Sequence, residues 1–216
     1  MSSEMQSQLR TALLLGSICL SACSASIRPK PNLLDGSPAL AGGGLVNVVV
    51  EIPAGTNDKW EVEKASGALH WEQQDGKPRV VQYLAYPANY GMIPRTSLPE
   101  EIGGDGDPLD VVLLGPALDR GSVVSARPIG VLRLVDDGER DDKILSVPLS
   151  GPLSDVVDLA ALDSRYPGIR SIVETWFMHY KGPGRTTSAG FGDASDALAI
   201  VEEANRYYEA GARGSE

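Results

Sequence analysis

Three carboxylates are crowded into one short stretch of the chain, the segment Asp-Gly-Asp-Pro-Leu-Asp at 105–110. Its glycine permits a tight turn and its proline stiffens it, so Asp105, Asp107 and Asp110 are held close together. Such carboxylates repel one another unless a cation joins them, and all-oxygen ligation suits Mg²⁺, Mn²⁺ or Ca²⁺. An EF-hand does not fit, because the aspartate spacing differs and no glutamate stands at the twelfth position. The alternative is a solvated acidic loop.

A second acidic cluster lies at 136–143 and contains Asp136, Asp141 and Lys143. By itself it is typical of a charged hairpin turn. Both clusters lie at the ends of predicted strands, however, and neighbouring strand ends can bring their side chains together. We therefore expect the two groups of carboxylates to converge on one centre that holds several metal ions.

Cations and phenols are scattered among the apolar runs of the chain. Each has an ordinary explanation, either as a surface cation or as a tyrosine at the edge of the core. Taken with the metal centre, they suit a compact polyanion such as phosphate. These residues are Lys59, Arg79, Tyr86, Tyr90, Tyr180 and Lys181.

The composition excludes several classes of protein. The chain has 216 residues and a formal net charge of −10, so charge-driven binding to nucleic acid or to an anionic membrane surface is not expected. Only two cysteines are present, which excludes a disulfide framework and a cysteine-rich zinc site. Two histidines are too few for a histidine-based metal cluster.

Short runs of β-branched and apolar residues, separated by Gly, Pro, Asn and Asp, predict a compact β-barrel or sandwich. Apolar residues with helical spacing then predict one helix at 169–180 and another at 195–208. The segment 182–192 is rich in Gly and Pro and is predicted as a loop. The fold class is therefore α+β, with the strands first and the helices after them. The predicted strands lie at 45–50, 60–63, 68–71, 80–84, 109–114, 122–135 and 143–147.

The first residues differ from the rest. Residues 1–22 contain a short apolar run after Arg10, which is typical of a secretory signal, and Leu20-Ser-Ala-Cys23 resembles a bacterial lipobox. This predicts export and a lipid anchor on Cys23, on the periplasmic face of a membrane, with the outer membrane favoured. The alternatives are a plain signal peptide or a start at Met5. Residues 23–44 are predicted as a flexible tether, 45–210 as one folded domain and 211–216 as a short tail.

Over residues 48–208 the chain resembles the soluble family I inorganic pyrophosphatases. The motifs that carry the resemblance occur in the family's order and at about its spacing. They are Asp-Gly-Asp-Pro-Leu-Asp at 105–110, Glu51-Ile-Pro-Ala, Lys59-Trp-Glu61, Arg79, Tyr86-Pro-Ala-Asn-Tyr90-Gly, Arg127-Pro-Ile-Gly, Asp136, Asp141-Asp-Lys143 and His179-Tyr180-Lys181.

The resemblance implies an OB-like five-stranded β-barrel flanked by C-terminal helices, and hydrolysis of pyrophosphate by a metal-activated water without a covalent intermediate. It implies three to four Mg²⁺ ions, with Mn²⁺ as an alternative, and Asp107 as the base. The implied metal residues are Asp105, Asp110, Asp136, Asp141, Glu61 and Glu51. The implied phosphate-binding residues are Lys59, Arg79, Tyr90, Lys143, Tyr180 and Lys181.

Relatives form dimers or hexamers, and the sequence leaves a homo-oligomer open. Two other functions also stay open. One is a non-catalytic lipoprotein that binds divalent cations or phosphate. The other is a phosphohydrolase of broader substrate range, acting for example on nucleotides or polyphosphate.

Overall fold

A computed structural model of the chain describes residues 32–213. The predictions made for residues 1–22 and for Cys23 lie outside these residues. The helices are α1 (Leu159–Arg165), α2 (Ile169–His179) and α3 (Ala194–Arg213), with a short 3-10 turn at Glu100–Ile102. The strands are β1 (Leu40–Gly42), β2 (Leu45–Ile52), β3 (Trp60–Val62), β4 (Leu69–Trp71), β5 (Gln73–Gln74), β6 (Lys77–Pro78), β7 (Asn89–Met92), β8 (Asp110–Leu113), β9 (Val123–Asp136), β10 (Glu139–Arg140), β11 (Lys143–Pro148) and β12 (Thr186–Gly192).

Five strands form a closed ring in the order β2, β7, β8, β11, β9 and back to β2. All neighbours in the ring are antiparallel except β8 and β11, which are parallel. The long strand β9 closes the ring because its residues 123–126 pair with β2 and its residues 126–132 pair with β11. This ring confirms the predicted OB-like class, with the helices added mainly after the strands.

The strands of the ring are buried on both faces. On β8, Val111 and Leu113 belong to a cluster that includes Val201 of α3, whereas Val112 belongs to a cluster that includes Trp176 of α2. Alternate residues of a strand point to opposite faces, so the two helices cover opposite sides of the sheet. This explains the unbroken apolar runs at 111–113 of β8 and at 48–50 of β2.

The two predicted helices are confirmed, and α3 is longer than predicted. The prediction of a strand at 80–84 was wrong beyond its first residue, since Val80 forms only an isolated bridge with Asp58. The side-chain amide of Asn57 donates to the carbonyl oxygens of Val81 and Tyr83, both at 2.9 Å, and replaces a partner strand.

The loop prediction for 182–192 was also wrong, because β12 occupies most of this segment and pairs with β9. Gly190 has φ of 85° and lies at a register shift, so glycine here allows a bulge rather than ending the strand. The helix α1 was not predicted. It has only seven residues, and Asp158 caps it by accepting a 2.7 Å hydrogen bond from the Ala161 N–H.

The predicted tether is corrected for its described part, residues 32–44. Leu33 and Ala39 are buried, and β1 pairs with β2. The Leu33 N–H donates to the Gly67 carbonyl oxygen at 2.7 Å. The folded unit therefore includes this segment. Its glycines and prolines disfavour regular structure, but burial of two apolar side chains and the pairing of β1 with β2 stabilise it against the domain. Within residues 32–213, no helix is long and apolar enough to cross a bilayer.

Candidate active site

One cavity of about 520 Å³ gathers the predicted site residues. It lies where β2, β7, β8 and β11 of the ring meet the β3–β4 hairpin and the end of α2. Of the predicted metal- and phosphate-binding residues only Asp136 does not line it, and the candidate phenol Tyr86 does not line it either. The predicted residues that line it are Glu51, Lys59, Glu61, Arg79, Tyr90, Asp105, Asp107, Asp110, Asp141, Lys143, Tyr180 and Lys181.

The acidic turn at 105–110 is held by its own backbone. The Asp105 carboxylate accepts a 2.8 Å hydrogen bond from the Asp107 N–H, and the Gly106 N–H donates to the Leu98 carbonyl oxygen at 2.9 Å. Gly106 has φ of 74°, a conformation that favours glycine. Asp110 then begins β8, so the turn and the strand aim its carboxylates into the same cavity.

Lys143 joins the two acidic clusters. Its ammonium contacts Asp110 and donates a 2.6 Å hydrogen bond to Asp141, and its side chain is only 3% exposed. Burial would lower the pKa of Lys143, but the charges and hydrogen bonds of the two carboxylates outweigh it and raise that pKa. Burial raises the pKa of Asp141, and the charge of Lys143 opposes the rise. The parallel pairing of β8 and β11 creates this contact.

Glu51 is a buried carboxyl group on β2, 5% exposed. It accepts a 2.7 Å hydrogen bond from the Val62 N–H and so fixes β3 to the ring. Burial raises the pKa of Glu51 to about 8, and the charge of Lys59 opposes the rise. The Val62 hydrogen bond and a nearby cation both favour the ionised form of a carboxyl group in such a place.

The β3–β4 hairpin supplies one wall of the cavity. Lys59 lies 3.7 Å from the Glu61 carboxylate, and His70 lies 3.3 Å from its other oxygen. Glu61 and His70 are cross-strand partners in this hairpin. His70 and Lys64 line the cavity but were not predicted as site residues. The alternation of side chains across a strand pair could have indicated His70, because it is opposite Glu61.

Arg79 is oriented by a residue that the sequence reasoning missed. Its guanidinium donates a 2.7 Å hydrogen bond to the Glu72 carboxylate. Partial burial would lower the pKa of Arg79, but Glu72 outweighs it and raises the pKa. The Arg79 carbonyl oxygen accepts a 2.8 Å hydrogen bond from the Trp71 indole. Arg79 is thus fixed at both its backbone and its side chain.

The two phenols of the cavity are supported by an aromatic cluster. Tyr180 stacks on Trp176 with ring centroids 4.6 Å apart, and Tyr86 packs on both Tyr90 and Trp176. Burial raises the pKa of both Tyr90 and Tyr180, which keeps them as hydrogen-bond donors at neutral pH. Tyr86 is buried in the cluster and does not line the cavity. Arg127 lies elsewhere and donates to the carbonyl oxygens of Ser154 and Val156.

Asp136 lies at the end of β9 and contacts the cavity only through Lys181. The Lys181 ammonium contacts its carboxylate, and the Thr186 hydroxyl donates to it at 2.9 Å. Partial burial would raise the pKa of Asp136, but these two hydrogen bonds outweigh it and lower the pKa. Lys181 is therefore positioned by Asp136 at the rim of the cavity.

The donor set of the cavity fits a hard divalent cation. Carboxylates outnumber cationic side chains along its walls, and their oxygens are the ligands that Mg²⁺ prefers. Among residues 32–213, no three His, Cys, Asp or Glu side chains form a ready metal-binding group. The Lys64 ammonium contacts Asp107, and the Lys143 ammonium contacts Asp110 and Asp141. Positive charge therefore lies beside three of these carboxylates.

Comparison with known proteins agrees with this geometry. The family model described as inorganic pyrophosphatase matches residues 48–209. The inorganic pyrophosphatase of Xanthomonas campestris is 38% identical over 168 residues, which cover 75% of this chain and 89% of the relative. That of Synechocystis is 34% identical and covers 80% of this chain and 96% of the relative.

Solved structures give the same result. An inorganic pyrophosphatase from Neisseria gonorrhoeae superposes with a TM-score of 0.67 at 35% identity, covering 82% of this chain and 98% of that one. The type I inorganic pyrophosphatase from Toxoplasma gondii gives 0.74 at 30% identity, covering 82% and 86%. With the cavity, the ring of strands and these matches in agreement, the chain belongs to the inorganic pyrophosphatase family.

Proposed function

We propose that this chain hydrolyses inorganic pyrophosphate to two phosphates, with Mg²⁺ as its cofactor and no covalent intermediate. The observation that carries the proposal is the single cavity in which two acidic clusters meet the cations and phenols suited to phosphate. Membership of the family supports the same substrate.

Asp105, Asp110 and Asp141 would hold the cations, and Glu51 and Glu61 add further oxygen donors at the same walls. Bound Mg²⁺ neutralises phosphate charge and lowers the pKa of water, which is the chemistry that a phosphoanhydride hydrolase requires. Asp136 can contribute to metal binding only after Lys181 leaves it. We propose three to four ions in the substrate complex, with Mn²⁺ as the alternative to Mg²⁺.

The cationic side chains would bind the two phosphate groups. In the structure they are paired with carboxylates, for example Arg79 with Glu72 and Lys59 with Glu61. Phosphate oxygens are strong acceptors, and arginine binds them in a bidentate manner. Tyr90 and Tyr180 hold their phenolic protons at neutral pH and donate to the same oxygens.

Asp107 would accept the proton of the attacking water. Its side chain is 52% exposed at the rim of the cavity, where both water and substrate have access. The water oxygen forms a bond to phosphorus, and the bond from phosphorus to the bridging oxygen breaks in line with it. The leaving phosphate takes the electron pair, and Lys143, Arg79 and Lys181 stabilise its charge.

Release of phosphate from pyrophosphate in the presence of Mg²⁺ or Mn²⁺ tests the proposal. We expect Asp107→Asn to reduce kcat by about 10²- to 10⁴-fold, the range for loss of a general base, with the fold preserved. Asp75→Asn is the matched control, because Asp75 is exposed on the β5–β6 turn and asparagine tolerates its φ of 53°. Absence of release by the unmodified protein with either metal would leave the non-catalytic alternative.

We also propose that the chain is exported and anchored to a membrane through a lipid on Cys23. The lipobox-like sequence supports this, and only residues 24–31 separate Cys23 from the described folded unit. Cys23→Ala should move the protein from the membrane fraction to the soluble fraction, whereas Cys19→Ala should not. A wild-type protein that is already soluble after export would exclude the anchor.

A further inference from the structure

We propose that Lys64 is a further pyrophosphate-binding residue, which pairs with Asp107 in the structure and transfers its ammonium to a phosphate group when substrate binds. The inference rests on the proposed hydrolysis of pyrophosphate. It concerns a side chain that lines the cavity and that neither the sequence motifs nor the proposed set of phosphate ligands includes.

The backbone that carries Lys64 is fixed. Lys64 lies in the turn between β3 and β4, where the Gly67 N–H donates to the Glu63 carbonyl oxygen at 2.8 Å. The Gly67 carbonyl oxygen accepts from Leu33 at 2.7 Å, which ties the turn to the N-terminal segment. The Cα of Lys64 is therefore held at the cavity while its long side chain remains free to change rotamer.

The ion pair of Lys64 with Asp107 is more exposed to water than the ion pairs of Lys143. Lys143 is 3% exposed and lies between two half-buried carboxylates, so moving it would leave both of them without their cation. The Lys64 side chain is 56% exposed and that of Asp107 is 52% exposed. Exposed ion pairs between flexible side chains are weak, because water screens the charges and the pairing restricts the side chains. Among the lysines of the cavity, Lys64 has the most exposed side chain, so water screens its ion pair the most.

Pyrophosphate offers Lys64 a better partner than Asp107. Each of its phosphate groups presents several acceptor oxygens and more negative charge than one carboxylate. Departure of Lys64 would also leave Asp107 free to accept the proton of the attacking water. Substrate binding and exposure of the base are thus coupled through one side chain.

The test compares Lys64→Gln and Lys64→Arg at saturating Mg²⁺. We expect Lys64→Gln to raise KM for pyrophosphate about tenfold, which corresponds to one charge-assisted hydrogen bond, and to change kcat by less than about threefold. The inhibition constant of methylenediphosphonate, an analogue whose P–C–P bridge resists hydrolysis, should rise by about the same factor. Lys64→Arg keeps the charge and should restore KM to within about threefold of wild type.

Lys77→Gln is the matched control, because Lys77 is an exposed lysine on β6 of the neighbouring hairpin and does not line the cavity. Its KM should equal that of wild type. Fluorescence of Trp60 and Trp71, which stack in the β3–β4 hairpin, reports whether a variant keeps the hairpin intact. A KM for Lys64→Gln within twofold of wild type overturns the inference, as does an equal rise for Lys64→Arg or a rise accompanied by altered hairpin fluorescence. An inactive wild-type protein would instead refute the proposed function.

Discussion

The Lys143 ammonium donates a 2.6 Å hydrogen bond to Asp141, two residues earlier in the chain, at the point where β11 begins. Asp141 lies just before the strand, and both side chains line the cavity. The parallel strand β8 brings Asp110 to the same ammonium. This arrangement makes Lys143 both a part of the proposed site and a support of its acidic walls.

Lys143→Met should therefore destabilise the protein as well as inactivate it. Removing one partner of a buried ion pair leaves uncompensated charge, and we expect a loss of about 3 kcal/mol in the free energy of unfolding. Urea unfolding in the absence of divalent cations measures it. Lys77→Met is the control at an exposed site, and equal unfolding free energies for the two variants would contradict the prediction.

Trp176→Ala should lower both stability and substrate affinity. The indole stacks on Tyr180 and donates a 2.9 Å hydrogen bond to the Leu84 carbonyl oxygen, so its removal leaves a cavity and an unpaired acceptor. We expect a loss of about 3–5 kcal/mol in unfolding free energy and a higher KM, because Tyr180 loses its support.

Tyr83→Leu serves as the comparison for Trp176→Ala, since Tyr83 packs edge-on against Trp176 but is 40% exposed. Its KM should stay at the wild-type value. The proposed support of Tyr180 is incorrect if Trp176→Ala binds pyrophosphate as tightly as wild type.

Gly91→Ala should disrupt the pairing of β2 and β7. An added Cβ would overlap the Val49 carbonyl oxygen on the neighbouring strand. This oxygen belongs to the backbone of β2, which is paired with β7 and cannot shift as a flexible side chain could. We expect a loss of about 3 kcal/mol and, because Tyr90 is adjacent, reduced activity. At Gly211 an added methyl group meets no atom within 4 Å, so Gly211→Ala should be neutral or stabilising. Thermal unfolding of the two variants separates these outcomes.

The contact between Tyr208 of α3 and Asp35 of the N-terminal segment should make the free energy of unfolding depend on pH. Burial, helped by the hydrogen bond to Asp35, raises the pKa of Tyr208 from 10.0 to about 12. The folded state thus keeps a phenolic proton that the unfolded state loses, and the free energy of unfolding falls as pH rises from 10 to 12. Tyr208→Phe should lack this part of the decline.

Urea unfolding of wild type and Tyr208→Phe at several values between pH 9 and pH 12 measures the difference. Below pH 10, Tyr208→Phe should be less stable by about 1 kcal/mol, the usual value of one hydrogen bond. Tyr207→Phe, at the exposed neighbouring position, should follow wild type. A constant gap between Tyr208→Phe and wild type across this range would show that the phenol does not titrate as expected.

Short sequence patterns predicted the elements that depend only on neighbouring residues. The turn at 105–110 combines glycine, proline and three aspartates within six residues, and its Asp107 N–H donates to the Asp105 carboxylate. Neighbouring residues therefore decide both its shape and the groups that it presents. The apolar spacing of α2 likewise predicts the helix and the buried position of Trp176. Segments with weak local signals were missed. They include the ring strand β7, which contains no run of β-branched residues, the short helix α1, and β12, whose glycines are tolerated because β9 supplies the partner strand.

By itself the sequence determined which side chains are candidates to bind metal ions and phosphate, and it indicated the family to which the chain belongs. Only the tertiary structure decided which of them meet. The parallel pairing of β8 and β11 brings Lys143 between Asp110 and Asp141, and the folding of the β3–β4 hairpin against Glu51 brings Lys64 to Asp107. It also decided that residues 32–44 pack as part of the domain. Contacts between distant segments depend on the burial of both partners, and no local pattern of residues encodes that burial.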